Sequence, residues 1–280
     1  MPIIGVMAAL AAALAWTTAS GLWRSLSDQG SALQLNTLKN GLATLLFVPV
    51  LALLPWQENV AAIGWLLLSG GVGIVAGDSF YLAALRRLGT RRTLTLEALG
   101  PVLASVGSVV LMGEQLSAGA WLGALLVAGA VVLVADSDGP LHRDRQGLVF
   151  GLLAVVCGLT GAFLARQVLI SSELTPLQTA AVRLLGGWLA LLPLLRARGS
   201  RLDGRSGSGL RILLATALGT NVGIVLQQLV FQTMPVGPGV TLMSTAPVMA
   251  LVAGPFEGDP IQLRGVLAAM LAVAGVACNA

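Results

Sequence analysis

LLLSGGVGIVAG at residues 66–77 and LLATALGTNVGI at residues 213–224 are one segment met twice, and that recurrence decides the fold. Gly73 and Gly77 in the first answer to Gly219 and Gly223 in the second, a displacement of 146 residues for both pairs. The same displacement carries Pro101 in EALGPVLA (97–104) onto Pro247 in MSTAPVMA (243–250). Upstream, Lys39 corresponds to Arg183 at a displacement of 144 and Arg24 to Arg166 at 142, a drift that short loop deletions explain. One glycine pair means little among 35 glycines, but glycines, prolines and cations recurring in one order mark an internal repeat.

Both copies lie in strongly apolar sequence. Of 280 residues 56% are hydrophobic and 10% charged, against roughly 25% charged in an ordinary soluble domain, too few to cover a water-facing surface. The apolar residues fall into runs of about 20, the length a helix needs to cross roughly 30 Å of hydrocarbon. Runs such as Trp121 to Ala135 are apolar on every face, which a β-barrel strand is not. Polar punctuation predicts helices at 3–23, 32–54, 61–85, 93–112, 118–135, 147–170, 176–195, 209–233, 238–256 and 262–279. The first run lacks a basic lead-in and a cleavage site, so it is expected to persist as helix one. Cys157 and Cys278 sit in apolar segments, where a disulfide framework is not expected.

The expected architecture is therefore an all-α integral membrane protein. Ten transmembrane helices form two inverted five-helix repeats, residues 1–137 and 147–280, around a central cavity. Five is odd, so the second copy must enter the bilayer upside down. Loop charges bear on this. RRLGTRR (86–92) carries four arginines and its counterpart TMPVGPG (233–239) none, whereas PWQENVA (55–61) has no cation and its counterpart holds Arg196, Arg198, Arg201 and Arg205. Arginines occupy the loops after helices one, three, five, seven and nine; by the positive-inside rule those loops are cytoplasmic and both termini outside. The net charge of +4 is read as membrane orientation rather than nucleic-acid binding.

Gly- or Pro-interrupted helices at matching places in inverted repeats point to a midplane binding site. Helices three, four, eight and nine qualify. Pro101 and Pro247 each remove a backbone hydrogen bond, as static kinks or as cavity-lining bends; the glycine pairs suit close helix packing. Carboxylates in the bilayer face a cavity or a cation, which singles out Asp78, with Tyr81 one turn on, and Glu97 just before Pro101. Arginines of the adjacent loop are rival partners. Ile224 and Met243 stand where repeat two would place the carboxylates, so the polar site is asymmetric. Asn221, Gln227 and Ser244 are neutral polar candidates for the cavity. Trp16 suits the cavity or an interfacial aromatic belt, and Lys39 and Arg183 suit anion contact or snorkelling to the headgroups.

Enzyme motifs are absent. Lys39 follows no glycine-rich loop, which excludes a Walker A site, and His142 is the only histidine, which excludes H-E-x-x-H zinc chemistry and a serine–histidine protease. No cofactor or metal is expected, and transport would draw on a gradient. Two carboxylates and two cations near the bundle interior suggest a zwitterionic small-molecule substrate.

WTTASGLW (16–23), LGPVLASVGSVVLMGEQLSAGAWLGALLVAGAVVLV (99–134) and TAPVMALVAGPFEGDPIQLRGVLAAMLAVAGV (245–276) resemble the EamA-like branch of the drug/metabolite transporter superfamily over essentially the whole chain. Pro101, Gly113, Glu114 and Gly123 carry the likeness most clearly. In repeat two, Pro247 to Glu257 is three residues shorter than Pro101 to Glu114, and Gly254–Pro255 interrupts helix nine. The resemblance implies a ten-helix bundle in the cell (inner) membrane that exports amino acids or related metabolites by alternating access, with protons as a candidate coupling ion. It also implies cytoplasmic termini, against the loop charges. Alternatives are a nontransporting scaffold or sensor, or a carrier of nucleotide sugars or other organic anions.

Overall fold

A computed structural model describes residues 3–24, 32–88, 93, 96–135, 144–197, 209–246, 248–249 and 263–279. Among these there is no strand. The helices are α1 (Ile3–Arg24), α2 (Ala32–Leu46, continued by a short Val48–Ala52), α3 (Val60–Gly70, Gly71–Gly77 and Asp78–Leu88), α4 (Gly100–Met112), α5 (Ala118–Ala135), α6 (Arg145–Ser171), α7 (Pro176–Ala197), α8 (Gly209–Ala215, Thr216–Val222 and Gly223–Thr233), α9 (Val236–Met243) and α10 (Leu263–Asn279). Four stretches within α3, α6, α7 and α8 are long and apolar enough to cross a membrane unaided. Exposed Leu, Val, Ile and Met side chains along most of the helices supply a lipid-facing surface.

Among the described residues the helices fall on the segments the sequence predicts, and three of those segments are interrupted. The segment expected over 32–54 turns at Phe47, with Pro49 in the first turn of the short helix that follows. The segment expected over 93–112 turns at Ala98–Leu99, so Pro101 sits in the first turn of α4 rather than in mid-helix. There its missing N–H costs no intrahelical bond. Helix α9 ends at Met243 and turns at Ser244–Thr245. Pro247 lies outside the described residues.

Packing follows the repeat. Each repeat's first helix lies on the other repeat's third: α1 packs on α8, and α6 on α3. Equivalent helices also pair, α2 with α7, α4 with α9 and α5 with α10, and α7 packs in addition along α3. The glycines explain why the first two crossings are close. A Cβ on Gly219 would strike that of Ala19, and one on Gly223 the indole of Trp16; at the equivalent crossing a Cβ on Gly73 would lie 3.3 Å from Gly161 Cα and one on Gly77 3.5 Å from Gly158 N. Small residues let these backbones meet where lipid offers no hydrophobic drive. At these points α3 and α8 loosen into π-helical turns, Gly71–Gly77 and Thr216–Val222, matched in both repeats and often associated with functional sites.

Polar clasps finish the ends. Asp144 caps α6 by accepting from Gly147 N at 3.0 Å and pairs with Arg87 at 3.2 Å. The Gly147 amide and the Arg87 guanidinium hold its carboxyl below the usual carboxylate range. This contact ties the end of α3 to the start of α6, so the loops after helices three and five share a face. The exposed Arg87, Arg145, Arg196, Arg211 and Arg264 all stand at helix ends on that arginine-rich face. On the opposite face Ser108 Oγ in α4 accepts from Gly237 N in the first turn of α9 at 2.8 Å, both groups buried. First-turn amides have no intrahelical acceptor. Ser108→Ala is therefore expected to lower the unfolding free energy of the detergent-solubilised protein by about 1–3 kcal/mol, read as a drop in thermal midpoint; an unchanged midpoint would mean that the amide finds another acceptor.

Candidate functional site

The charged residues of the membrane interior gather around α3 and α8. Lys39 and Arg183 occupy equivalent places, each seven residues into its helix, about 10 Å along the axis from the helix start. Because the repeats are inverted, Lys39 is reached from the arginine-rich face and Arg183 from the other. Lys39 Nζ lies 3.5 Å from Asp78 Oδ2, and the Asp78 side chain is 41% exposed. Asp78 opens the α-helical part of α3 directly after the π-helical turn, so the loosened backbone delivers the carboxylate to this point.

Tyr81 follows Asp78 by three residues on α3, and Glu97 stands at the break before α4. The structure thus pairs Lys39 of α2 with Asp78 of α3.

Arg183 is built differently. It is 4% exposed. Its Nη1 donates to Gln227 Oε1 at 3.1 Å, its Nη2 lies 3.6 Å from where a Gly73 Cβ would project, and its Nε has no hydrogen-bond partner. It therefore lies between α3 and α8. Nearby on α8, Asn221 Nδ2 donates to Ala43 O at 2.9 Å, fastening α8 to α2, while Asn221 Oδ1 and both amide atoms of the buried Gln228 have no partner. Trp16 packs on Gly223 at the α1–α8 crossing, Ser244 is half-buried in the turn after α9, and Pro101 is buried. These last three border the bundle interior without joining either charged group.

Two features carry signals that the sequence reading did not use. Asn36, Thr37, Asn40 and Thr44 are buried along one stripe of α2, with Asn40 Nδ2 donating to Asn36 Oδ1 and its backbone O, both at 2.9 Å. Polar residues at i, i+1, i+4 and i+8 in a membrane helix are that signal. The second is an ion pair. Gly113 ends α4 in the left-handed region (φ 66°), with Glu114 N bonded to Ser108 O at 3.0 Å, a turn that glycine adopts without strain. This aims Glu114 at Arg166 of α6, 3.1 Å away, with both side chains 13% exposed. Arg166 also donates to the carbonyls of Phe231 and Gln232 at the end of α8. Gly113 and Glu114 served above only as marks of resemblance.

The described residues hold no group of three or more His, Cys, Asp or Glu able to bind a metal. A solved structure described as "Crystal structure of protein" matches with a TM-score of 0.80 at 17% identity, covering 98% of this chain and 95% of its own, which shows a shared fold. No curated protein matches the chain. The sequence model of the EamA-like transporter family matches residues 3–135 and again 145–280. With the repeat, the inverted packing and the charged interior, these matches make the chain a member of the EamA-like transporter family, a multi-pass membrane transporter of the drug/metabolite superfamily.

Proposed function

We propose that the protein is a secondary active exporter of small zwitterionic metabolites, amino acids or related compounds, working by alternating access between the two inverted repeats. The observation that carries this is the unequal exposure of equivalent cations: Lys39 is half-buried beside a partly exposed Asp78, whereas Arg183 is buried. A carboxylate and an ammonium do not face lipid at such depth, so the exposed surface at Asp78 is read as lining an aqueous vestibule from the arginine-rich face. The half of the bundle containing Arg183 is then closed. Exchange of the repeats' roles would expose Arg183 and bury Lys39.

Asp78 and Glu97 supply negative charge for a substrate ammonium, with Tyr81 beside them as hydroxyl and aromatic face. Trp16, Asn221 and Ser244 are assigned to the surrounding wall. Protons are the assigned coupling ion, because two neighbouring carboxylates can exchange one.

Flux into proteoliposomes tests this. With purified protein, labelled amino acids, amines, sugar phosphates and nucleotide sugars are offered with and without a proton gradient. Saturable, gradient-enhanced uptake of amino acids is the expected result. Flux that never saturates would indicate a channel, and no flux of any compound through folded protein would favour a scaffold or sensor.

A further inference from the structure

The guanidinium of Arg183 is an unpaid charge. Among the described residues no carboxylate lies within ion-pair distance of it, and it donates to the neutral Gln227 amide oxygen. Its Nε is buried and unpartnered, and Gln228 on the adjoining turn of α8 leaves both amide atoms unpartnered while fully buried. A buried cation without a counter-ion is strongly unfavourable, and structural arginines in low-dielectric surroundings are paired. Arg166 in the same bundle shows the contrast: it has Glu114 and two helix-end carbonyls.

We propose that Arg183, with Gln227 holding its orientation, is a subsite for a singly charged carboxylate of the transported molecule, separate from the Lys39–Asp78 cluster. The proposal rests on the transporter reading above and names the substrate's chemistry. Three observations support it. Its Nε is buried without a partner and its Nη2 comes within 3.6 Å of where a Gly73 Cβ would project, so the fork stands against the α3 backbone. A guanidinium presents parallel N–H groups that match a carboxylate's two oxygens. Among the described residues Arg183 is the buried cation without a carboxylate, and Lys39 is already engaged by Asp78, which suits one negative charge rather than two. Asp78 follows Gly73 by five residues on α3, about 7 Å along the axis, so an ammonium at Asp78 and a carboxylate at Arg183 belong to one molecule lying along that helix.

The test separates a functional from a structural arginine. Wild type, Arg183→Met and Arg183→Lys are purified in detergent, and thermal midpoints are compared in acetate, inorganic phosphate and chloride at matched ionic strength. Without acetate, Arg183→Met is expected to have an unchanged or raised midpoint, because an uncompensated charge has gone; a structural role would lower it and overturn the proposal. Acetate is expected to raise the wild-type midpoint above that in chloride, with the difference lost in Arg183→Met and reduced in Arg183→Lys. An equal acetate effect in all three, or none in wild type, overturns it, as does phosphate exceeding acetate. Proteoliposome uptake of a neutral amino acid and of the amine lacking its carboxylate completes the test. Arg183→Met should reduce amino-acid uptake at least tenfold and narrow its preference over the amine. Acetate stabilisation without flux keeps the subsite and refutes transport; flux indifferent to the carboxylate keeps transport and refutes the subsite.

Discussion

Asp78→Asn is expected to abolish transport, by roughly a hundredfold or more, while leaving the protein folded and inserted. Asparagine preserves the volume and removes the charge. The structural loss should be small, since the Lys39 contact is long and the carboxylate partly exposed, and such pairs contribute about 0–1 kcal/mol. The functional loss should be large. A charge that meets a substrate ammonium in a confined site is worth about 2–5 kcal/mol when truncated, and each 1.4 kcal/mol is a factor of about ten. A double variant, Lys39→Gln with Asp78→Asn, distinguishes the two roles. If Asp78 serves only to neutralise Lys39, removing both charges restores uptake. If it meets the substrate, the double variant stays inactive. Full activity of the single variant would remove Asp78 from the mechanism.

Arg166→Met should be the most destabilising single substitution in the bundle, costing about 3–5 kcal/mol, because it strands a mostly buried carboxylate. Glu114 already has one buried oxygen without a partner, and Arg166 is the cation that meets the other. The reverse substitution is expected to cost less. In Glu114→Gln the guanidinium keeps the carbonyls of Phe231 and Gln232 and gains a neutral amide acceptor, so a loss of about 1–2 kcal/mol is expected. The order, with Arg166→Met below Glu114→Gln below wild type, is read from thermal midpoints in one detergent. The double variant should lie above Arg166→Met alone. A reversed order would mean that the carbonyl contacts, rather than the ion pair, hold the ends of α4, α6 and α8 together.

The two predictions rest on residues of different legibility. Asp78 stands out in sequence because a carboxylate in a long apolar run has few explanations. Its partner did not stand out. Lys39 and Asp78 lie on different helices, and spacing along the chain does not say which side chain of α2 reaches α3. Glu114 and Arg166 were visible as repeat and resemblance marks, yet they come from different repeats, and nothing in either segment says that Gly113 turns the chain so that they meet. Asn36 and Asn40 carried a polar stripe that could have been read from the 3.6 periodicity.

What the amino-acid order determined by itself was the membrane class, the ten segments and the inverted repeat. Those depend on local quantities: run length against bilayer thickness, glycine where two helices cross closely, and the odd number of helices per copy. What only the tertiary structure decided was the state of each charge. Lys39 and Arg183 are equivalent in the repeat, but one is half-buried against a carboxylate and the other buried against an amide. That difference arises because repeat two has Ile224 where repeat one has Asp78. Whether a charge in a membrane is screened, paired or stranded depends on which helix packs opposite it, and that is a property of the assembled bundle rather than of any one segment.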